Sequence, residues 1–132
     1  MDFLTLLRSE NMALRGIRGA ITADSNTKED IWKAARLLIT KLMSTNQLNF
    51  DQVGAAIFSS TEDLTAAFPT TGVRQLPSFS LIPLFDAREP AIEGSLPMCI
   101  RVLLLVDIDR NPRDICHIYL GGARALRPDL VD

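Results

Sequence analysis

Arg101 is the residue of this 132-residue chain whose type and position most clearly suggest chemistry. It interrupts the run C-I-R-V-L-L-L-V from Cys99 to Val106, which is rich in Val, Ile and Leu and predicts a strand buried on both faces. A guanidinium group is rarely buried unless an anionic group meets it. The strand pattern leaves two interpretations open: Arg101 pairs with a carboxylate of the protein as a structural contact, or it binds an anionic ligand.

Two further segments place polar groups where a pocket could form. Asp86, Arg88 and Glu89 lie in a loop punctuated by proline and glycine, and loops of this kind hold polar side chains over the mouth of a pocket. In the strand-like segment Leu14–Thr22, small residues on both sides of Arg18 leave space around its side chain. A glycine in a strand indicates either the close approach of a ligand or backbone, or a β-bulge.

The composition excludes several classes of protein. The formal net charge is −2 and no cluster of Lys and Arg with interleaved aromatic residues is present, which argues against nucleic-acid binding. The apolar runs fall short of the roughly 18 residues of a transmembrane helix, and no signal peptide is recognisable, so we expect a cytoplasmic protein without membrane contact. His117 is the single histidine, and Cys99 and Cys116 lack metal-ligand spacing, which excludes histidine-based nucleophilic and metal chemistry.

The basic residues are eleven arginines and three lysines. The planar fork of arginine binds carboxylates bidentately, whereas lysine acts as a point charge, so this bias is consistent with an anionic ligand. A GC-rich genome explains the same bias equally well.

The periodicity predicts one domain with an α+β or mixed α/β fold, in which helices cover one face of a five-stranded mixed sheet. The predicted strands are Leu14–Thr22, Val53–Ser60, about Ser80–Phe85, Cys99–Asp107 and Ile115–Leu120; the predicted helices are a long one at about Lys28–Ser44, a short one that begins at Pro69 and ends before Pro77, and a helical piece around Ala123–Leu126. Because too few helices remain for the other face, we expect self-association. Residues 1–11 precede Met12 and are expected to be a dispensable extension of the domain formed by residues 12–132.

Six sequence blocks carry a resemblance to a known family: R-G-I-R-G-A-I-T at Arg15–Thr22, T-E-D-L-T-A-A-F-P ending at Pro69, A-R-E-P-A-I-E-G-S-L-P at Ala87–Pro97, C-I-R-V-L at Cys99–Leu103, H-I-Y-L at His117–Leu120 and L-R-P-D-L at Leu126–Leu130. In this order and spacing they resemble the monofunctional chorismate mutases of the trimeric α/β type, as distinct from the all-helical type. The resemblance covers Met12 to the C-terminus without an obvious insertion.

The resemblance implies a homotrimer that forms a pseudo-α/β-barrel, with active sites between neighbouring subunits. It also implies the Claisen rearrangement of chorismate to prephenate in phenylalanine and tyrosine biosynthesis. That reaction is unimolecular and pericyclic, and it requires no cofactor, metal or covalent intermediate. Because no histidine would act as acid or base, we expect a rate that is nearly independent of pH between about 6 and 9.

The resemblance also assigns roles to residues of this chain. Arg101 would place a fixed cation at the ether oxygen, where negative charge develops in the transition state. Arg18 would hold a substrate carboxylate and select the compact conformer, and Glu89 would accept a hydrogen bond from the ring hydroxyl. The remaining predicted substrate-binding residues are Tyr119, a donor to a carboxylate; Phe68, a wall of the cleft; Arg74, at the entrance; Asp86, a second hydroxyl contact; and Leu126 and Arg127, which cover the site.

Two positions depart from the family pattern. Thr71 stands where some relatives carry a lysine, which predicts weaker electrostatic recruitment of the substrate. Asp86 stands where relatives carry cysteine or serine. A carboxylate beside a dianionic substrate is repulsive unless it accepts the ring hydroxyl or pairs with an arginine such as Arg88.

Other interpretations compete with these assignments. Arg18 and Arg101 could form ion pairs at a subunit interface, Arg74 and Arg127 could be ordinary exposed arginines, and Tyr119 could be a core residue. Two other functions also fit: a non-enzymatic trimer that binds an aromatic-pathway metabolite, and an imine deaminase on a similar trimeric scaffold. The combination of Glu89 with Arg101 favours the mutase.

Overall fold

The computed structural model of the protein describes residues 13–130, so the predicted extension at residues 1–11 lies outside the described residues. In chain order the helices and strands are β1 (Leu14–Thr22), α1 (Lys28–Thr45), β2 (Val53–Ser60), α2 (Pro69–Arg74), β3 (Leu84–Arg88), β4 (Cys99–Asp107) and β5 (Ile118–Leu120). Short 3₁₀ helices lie at Phe50–Gln52, Pro77–Phe79, Pro112–Asp114, Gly121–Ala125 and Pro128–Leu130.

The predicted α+β fold with a five-stranded mixed sheet is confirmed. The strand order is β3-β2-β4-β1-β5, so β4 is the central strand. It pairs antiparallel with β1 and with β2, while the two outer pairs, β1 with β5 and β2 with β3, are parallel. This topology brings segments from both halves of the chain to the two sides of β4.

Helix α1 forms where the sequence predicts it. Thr27 caps its N-terminus by accepting a hydrogen bond from the backbone N–H of Asp30, and the acidic residues of the first turn suit the positive end of the helix dipole. Its buried stripe consists of Ile31, Ala34, Ala35, Leu38, Ile39, Leu42 and Met43.

Among the described residues, no helix combines the length and apolar content that crossing a membrane requires.

The two faces of the sheet differ in burial. Ile100, Val102, Leu104 and Val106 of β4 are buried in the core that also contains α1. On the opposite face, Arg101 and Leu103 are exposed. The prediction that Cys99–Val106 is buried on both faces is therefore wrong for the single chain, because α1 and α2 cover one face only. We refer to the opposite side as the open face; its exposed apolar residues include Leu14, Ile57, Phe85 and Leu103.

Strand β3 begins later than predicted. The sequence predicts a strand at about Ser80–Phe85, but β3 spans Leu84–Arg88. The preceding residues form a turn in which the N–H of Ile82 donates to the carbonyl of Phe79 at 3.2 Å. Phe79 and Ile82 are buried, so this turn reaches the core without forming a strand.

Strand β5 is shorter than the predicted Ile115–Leu120 and spans only Ile118–Leu120. The side-chain amide of Asn46 binds both backbone groups of Cys116: Oδ1 accepts from the N–H at 2.9 Å, and Nδ2 donates to the carbonyl at 2.8 Å. Because Asn46 occupies these groups, Cys116 does not extend the strand.

Gly72 of α2 packs directly on the backbone of α1. A Cβ atom at this position would lie 2.6 Å from the Cα and 2.9 Å from the carbonyl oxygen of Trp32. In an open helix, replacing glycine with alanine is favourable by up to about 1 kcal/mol, but here the α1 backbone would have to move. We expect Gly72→Ala to lower the free energy of unfolding by about 1–3 kcal/mol, measured by urea denaturation.

Gly54→Ala is the matched control, because a Cβ atom there would lie 3.6 Å from its nearest neighbour, the carbonyl oxygen of Leu105. Its unfolding free energy should stay within about 0.5 kcal/mol of the wild-type value. Equal stability of the two variants would contradict the close contact between α1 and α2.

Candidate active site

Register places a row of functional residues across the open face. Arg101 of β4 lies opposite Ala20 on one side and Ser59 on the other. Ala20 in turn lies opposite Tyr119. Because Ala20 is small and buried, space remains above it between Arg101 and Tyr119. Arg18, two residues before Ala20 and on the same face, borders this space.

This space is a cavity of about 390 Å³. Five of the predicted site residues line it: Arg18, Arg101, Tyr119, Leu126 and Arg127. Leu126 packs against a small buried cluster at one end of the open face that contains Ala20 and Cys99. The fold therefore brings together most of the cationic residues that the sequence predicts for the site.

Glu89 forms the anionic part of this arrangement. It follows β3, and its backbone N–H donates to the carbonyl of Ser60 at 3.0 Å. Its Oε1 lies 2.6 Å from Nε of Arg101 and accepts a hydrogen bond from the Ser59 hydroxyl at 3.1 Å. The Glu89 side chain is 14% exposed and that of Arg101 is 44% exposed, so the guanidinium expected to be buried is half-exposed in the single chain.

The ion pair leaves binding capacity on both partners. Both contacts of Glu89 use Oε1, so Oε2 can accept a further hydrogen bond. Arg101 uses Nε, and its two terminal nitrogens contact no oxygen of the described residues. Arg18 makes no ion pair with any carboxylate in residues 13–130. Arginine side chains thus line the cavity. Glu89 is not one of the lining residues, but it contacts two of them, Arg101 and Ser59.

Arg127 is engaged with a neighbour in the chain. Its Nη2 and Nε lie 2.9 and 3.1 Å from the carboxylate oxygens of Asp129. This bidentate hydrogen bonding holds the pKa of Asp129 below and the pKa of Arg127 above their ordinary values. Asp129 engages two of the three guanidinium nitrogens of Arg127, so a ligand can reach Nη1 directly but must compete with Asp129 for the other two.

Phe68 and Asp86 do not line the Arg101 cavity. They line a second cavity, of about 530 Å³, together with Thr71 and the cationic Lys28 and Arg88. Thr71 stands where some relatives carry a lysine, which predicts weaker electrostatic recruitment of the substrate. Lys28 and Arg88 place positive charge in the same cavity as Thr71.

Within the single chain, three predicted site residues are separate from the Arg101 cavity. Phe68 is 68% exposed at the start of α2. Arg74 is exposed at the end of α2 and lines neither of the two cavities. Asp86 alternates with its neighbours in β3 so that its side chain faces the helices, on the side of the sheet opposite Glu89.

Asp86 binds the start of α2. One of its carboxylate oxygens accepts from the backbone N–H of Thr70 at 3.2 Å, and the other accepts from the Thr70 hydroxyl. The carboxylate thus satisfies a free N–H of the first helical turn, where negative charge is favourable. Thr70, rather than Arg88, is the hydrogen-bond partner of Asp86.

Two residues that are not among the predicted site residues contact the site. Ser59 binds Glu89, and the ring of His117 accepts a hydrogen bond through Nδ1 from the backbone N–H of Arg18 at 2.9 Å. Burial, together with the charges of Arg18 and Arg127, holds the pKa of His117 below its ordinary value. Alternation places Ser59 on the face of Ile57, but only the strand register shows which residue it meets.

The chain belongs to the chorismate mutase type I family, whose model matches residues 14–130. Proteins named chorismate mutase AroH are similar along almost their whole length: that of Thermus thermophilus is 45% identical over 118 residues (89% of this chain, 96% of the relative), and that of Bacillus subtilis (strain 168) is 37% identical over 119 residues (90% and 94%). The solved structure of a chorismate mutase from Clostridium thermocellum superimposes with a TM-score of 0.81 at 36% identity, covering 84% of this chain and 98% of that one. The predicted family and isomerase activity are thereby confirmed.

Asp86 provides a test of how α2 is held. Because Asp86→Ala removes the acceptor of the Thr70 backbone N–H and hydroxyl, we expect the free energy of unfolding to fall by about 1–3 kcal/mol. Chemical denaturation measures this change. Exposed Asp51→Ala is the matched control and should be nearly neutral. An Asp86→Ala protein of wild-type stability would contradict the capping role.

Proposed function

We propose that this chorismate mutase carries out its reaction, the rearrangement of chorismate to prephenate in phenylalanine and tyrosine biosynthesis, in the cavity around Arg101. The observation that carries this proposal is the Arg101–Glu89 pair, in which Nε is bound at 2.6 Å while the two terminal nitrogens contact no oxygen of the described residues. A guanidinium anchored through Nε keeps a defined orientation and can present its other donors to an oxygen of the substrate.

The role of Arg101 follows from where charge develops in the reaction. As the ether C–O bond breaks, negative charge accumulates on the ether oxygen and the ring becomes relatively positive. A fixed cation at that oxygen binds the transition state more tightly than the substrate, which is the condition for acceleration. The free Oε2 of Glu89 is available to accept the ring hydroxyl and to face the electron-poor ring.

The remaining groups bind and shape the substrate. Arg18 has no ion-pair partner in the described residues, so its guanidinium is free to bind a substrate carboxylate. Tyr119 lies across Ala20 from Arg101 and can donate to a carboxylate from the opposite side. Holding the carboxylates in place selects the compact conformer in which the two reacting carbons meet, so part of the barrier is overcome by binding.

We also propose that the site is completed by a neighbouring subunit of a homotrimer. The open face leaves Leu14, Ile57, Phe85 and Leu103 exposed, and burying such apolar area favours association. Phe68 and Arg74, which would supply walls of the site, do not line the Arg101 cavity within one chain. A neighbour packed on the open face brings its own copies of these residues to the cavity.

Arg101→Ala tests the proposed chemistry. Purified wild-type protein should consume chorismate, followed by loss of its absorbance, and the variant should have kcat lower by about 10²–10³-fold because the principal charge at the ether oxygen is gone. Arg113→Ala is the control, since Arg113 is an exposed arginine in a turn. A near-normal kcat in a folded Arg101→Ala protein would assign Arg101 to structure.

Leu14→Asp tests the assembly. Sedimentation velocity should show wild-type particles of three 14.6 kDa chains. Leu14 is 71% exposed on the open face, so a carboxylate there should shift the protein towards monomer because burying an unpaired charge is costly. Leu81→Asp is the control, since Leu81 is 94% exposed in the turn before β3 and should leave the trimer intact. An intact Leu14→Asp trimer would place the interface elsewhere.

A further inference from the structure

The ring of His117 accepts a hydrogen bond from the backbone N–H of Arg18, at a position in the sheet where a carbonyl oxygen would normally be the acceptor. Strands β1 and β5 pair in parallel from Gly19 opposite Ile118 onwards, and one residue earlier the N–H of Arg18 is bound by Nδ1 of His117 at 2.9 Å. A main-chain donor in a sheet normally pairs with a carbonyl oxygen. Here the backbone position of Arg18 depends on a side chain that can change its protonation state.

The chain segment that carries this ring is itself held firmly. Cys116, the preceding residue, has both backbone groups bound by the amide of Asn46, which is 2% exposed at the C-terminal end of α1. The carbonyl of Asn46 accepts in turn from Nη1 of Arg110 at 2.7 Å. The position of His117 is therefore determined by the core.

We infer that His117 is a positioning residue for Arg18: its unprotonated Nδ1 holds the Arg18 backbone so that the guanidinium projects into the cavity of the open face. The part of this inference that concerns catalysis rests on the proposed function, because Arg18 is there assigned to a substrate carboxylate. The hydrogen bond itself is independent of that assignment.

Protonation of His117 would break this contact. A protonated Nδ1 is a donor and cannot accept from the Arg18 N–H. The charged groups that act on the ring are Arg18 of β1 and Arg127 of the C-terminal segment, and Asp129 binds Arg127. Burial and the two arginines lower the pKa of the ring. The bond is therefore intact above the unfolded value of about 6.5 and is lost as the pH falls through the folded value.

Two substitutions of His117 distinguish the effect of its hydrogen-bond acceptor from the effect of its change in charge. His117→Asn places an amide oxygen close to the position of Nδ1 and does not titrate, whereas His117→Leu removes the acceptor. We expect His117→Leu to raise KM for chorismate by roughly threefold to tenfold, the scale of one lost hydrogen bond, with kcat changed by less than about twofold. His117→Asn should restore the wild-type KM.

The pH profile gives a second readout. For the wild type, kcat/KM should be constant above the ordinary histidine pKa of about 6.5 and should fall as the pH drops through the lower pKa of folded His117, while His117→Asn should stay constant over the range in which the wild type falls. If the fall in kcat/KM at low pH persisted in His117→Asn, it would belong to a group other than His117, and this result would overturn the inference. So would an unchanged KM in His117→Leu, or an equal rise in KM in both variants.

A measurement without substrate keeps this inference separate from the proposed function. In ¹⁵N-labelled wild-type protein, the backbone amide signal of Arg18 should shift with the same midpoint as the His117 ring signals during a titration from about pH 8 to 5. An Arg18 amide that does not follow the ring would overturn the inference. If the two titrate together but chorismate is not consumed, the positioning role stands and the proposed function fails.

Discussion

The contact of 2.6 Å between Nε of Arg101 and Oε1 of Glu89 is the constraint on which the arrangement of the site depends. Arg101 lies in the central strand, so the register of both neighbouring strands decides which residues lie beside it: Ala20 of β1 and Ser59 of β2. Glu89 engages one edge of the guanidinium, and Ser59 supports the same carboxylate oxygen. A pair of this kind keeps two opposite charges together on a half-exposed surface and leaves donors on one partner and an acceptor oxygen on the other for a third molecule.

The helices cover only one face of the sheet, and this difference between the two faces separates the core from the site. Helices α1 and α2 lie against one face, where Ile100, Val102, Leu104 and Val106 are buried. The other face combines cations with exposed apolar residues, which suits both a dianionic ligand and a second copy of the chain. If neighbours cover this face, they also lower the local dielectric, and the interaction of Arg101 with charge on a substrate becomes stronger.

The chemistry proposed for this site uses fixed charge and shape. A guanidinium group acts through its fixed positive charge, so the roles proposed for Arg101 and Arg18 require no proton transfer. The one histidine contributes as a neutral acceptor for a backbone N–H, which is a structural use of a titratable group. Positioning of this kind matters because a small displacement of a charge from the oxygen it stabilises weakens catalysis considerably.

Alternation and helical periodicity in the sequence determined β1, α1, β2 and β4, since each has a regular apolar pattern and clear end signals. The candidate residues Arg18, Glu89, Arg101 and Tyr119 could likewise be chosen from the sequence blocks. Tertiary structure alone decided the ends of β3 and β5, because Phe79 and Ile82 reach the core from a turn and Asn46 binds a residue 70 positions away. It also decided that Asp86 binds α2, that Ser59 meets Glu89 and that His117 holds Arg18. Such contacts join residues far apart in the chain, and their partners depend on strand register and packing, which no local pattern encodes.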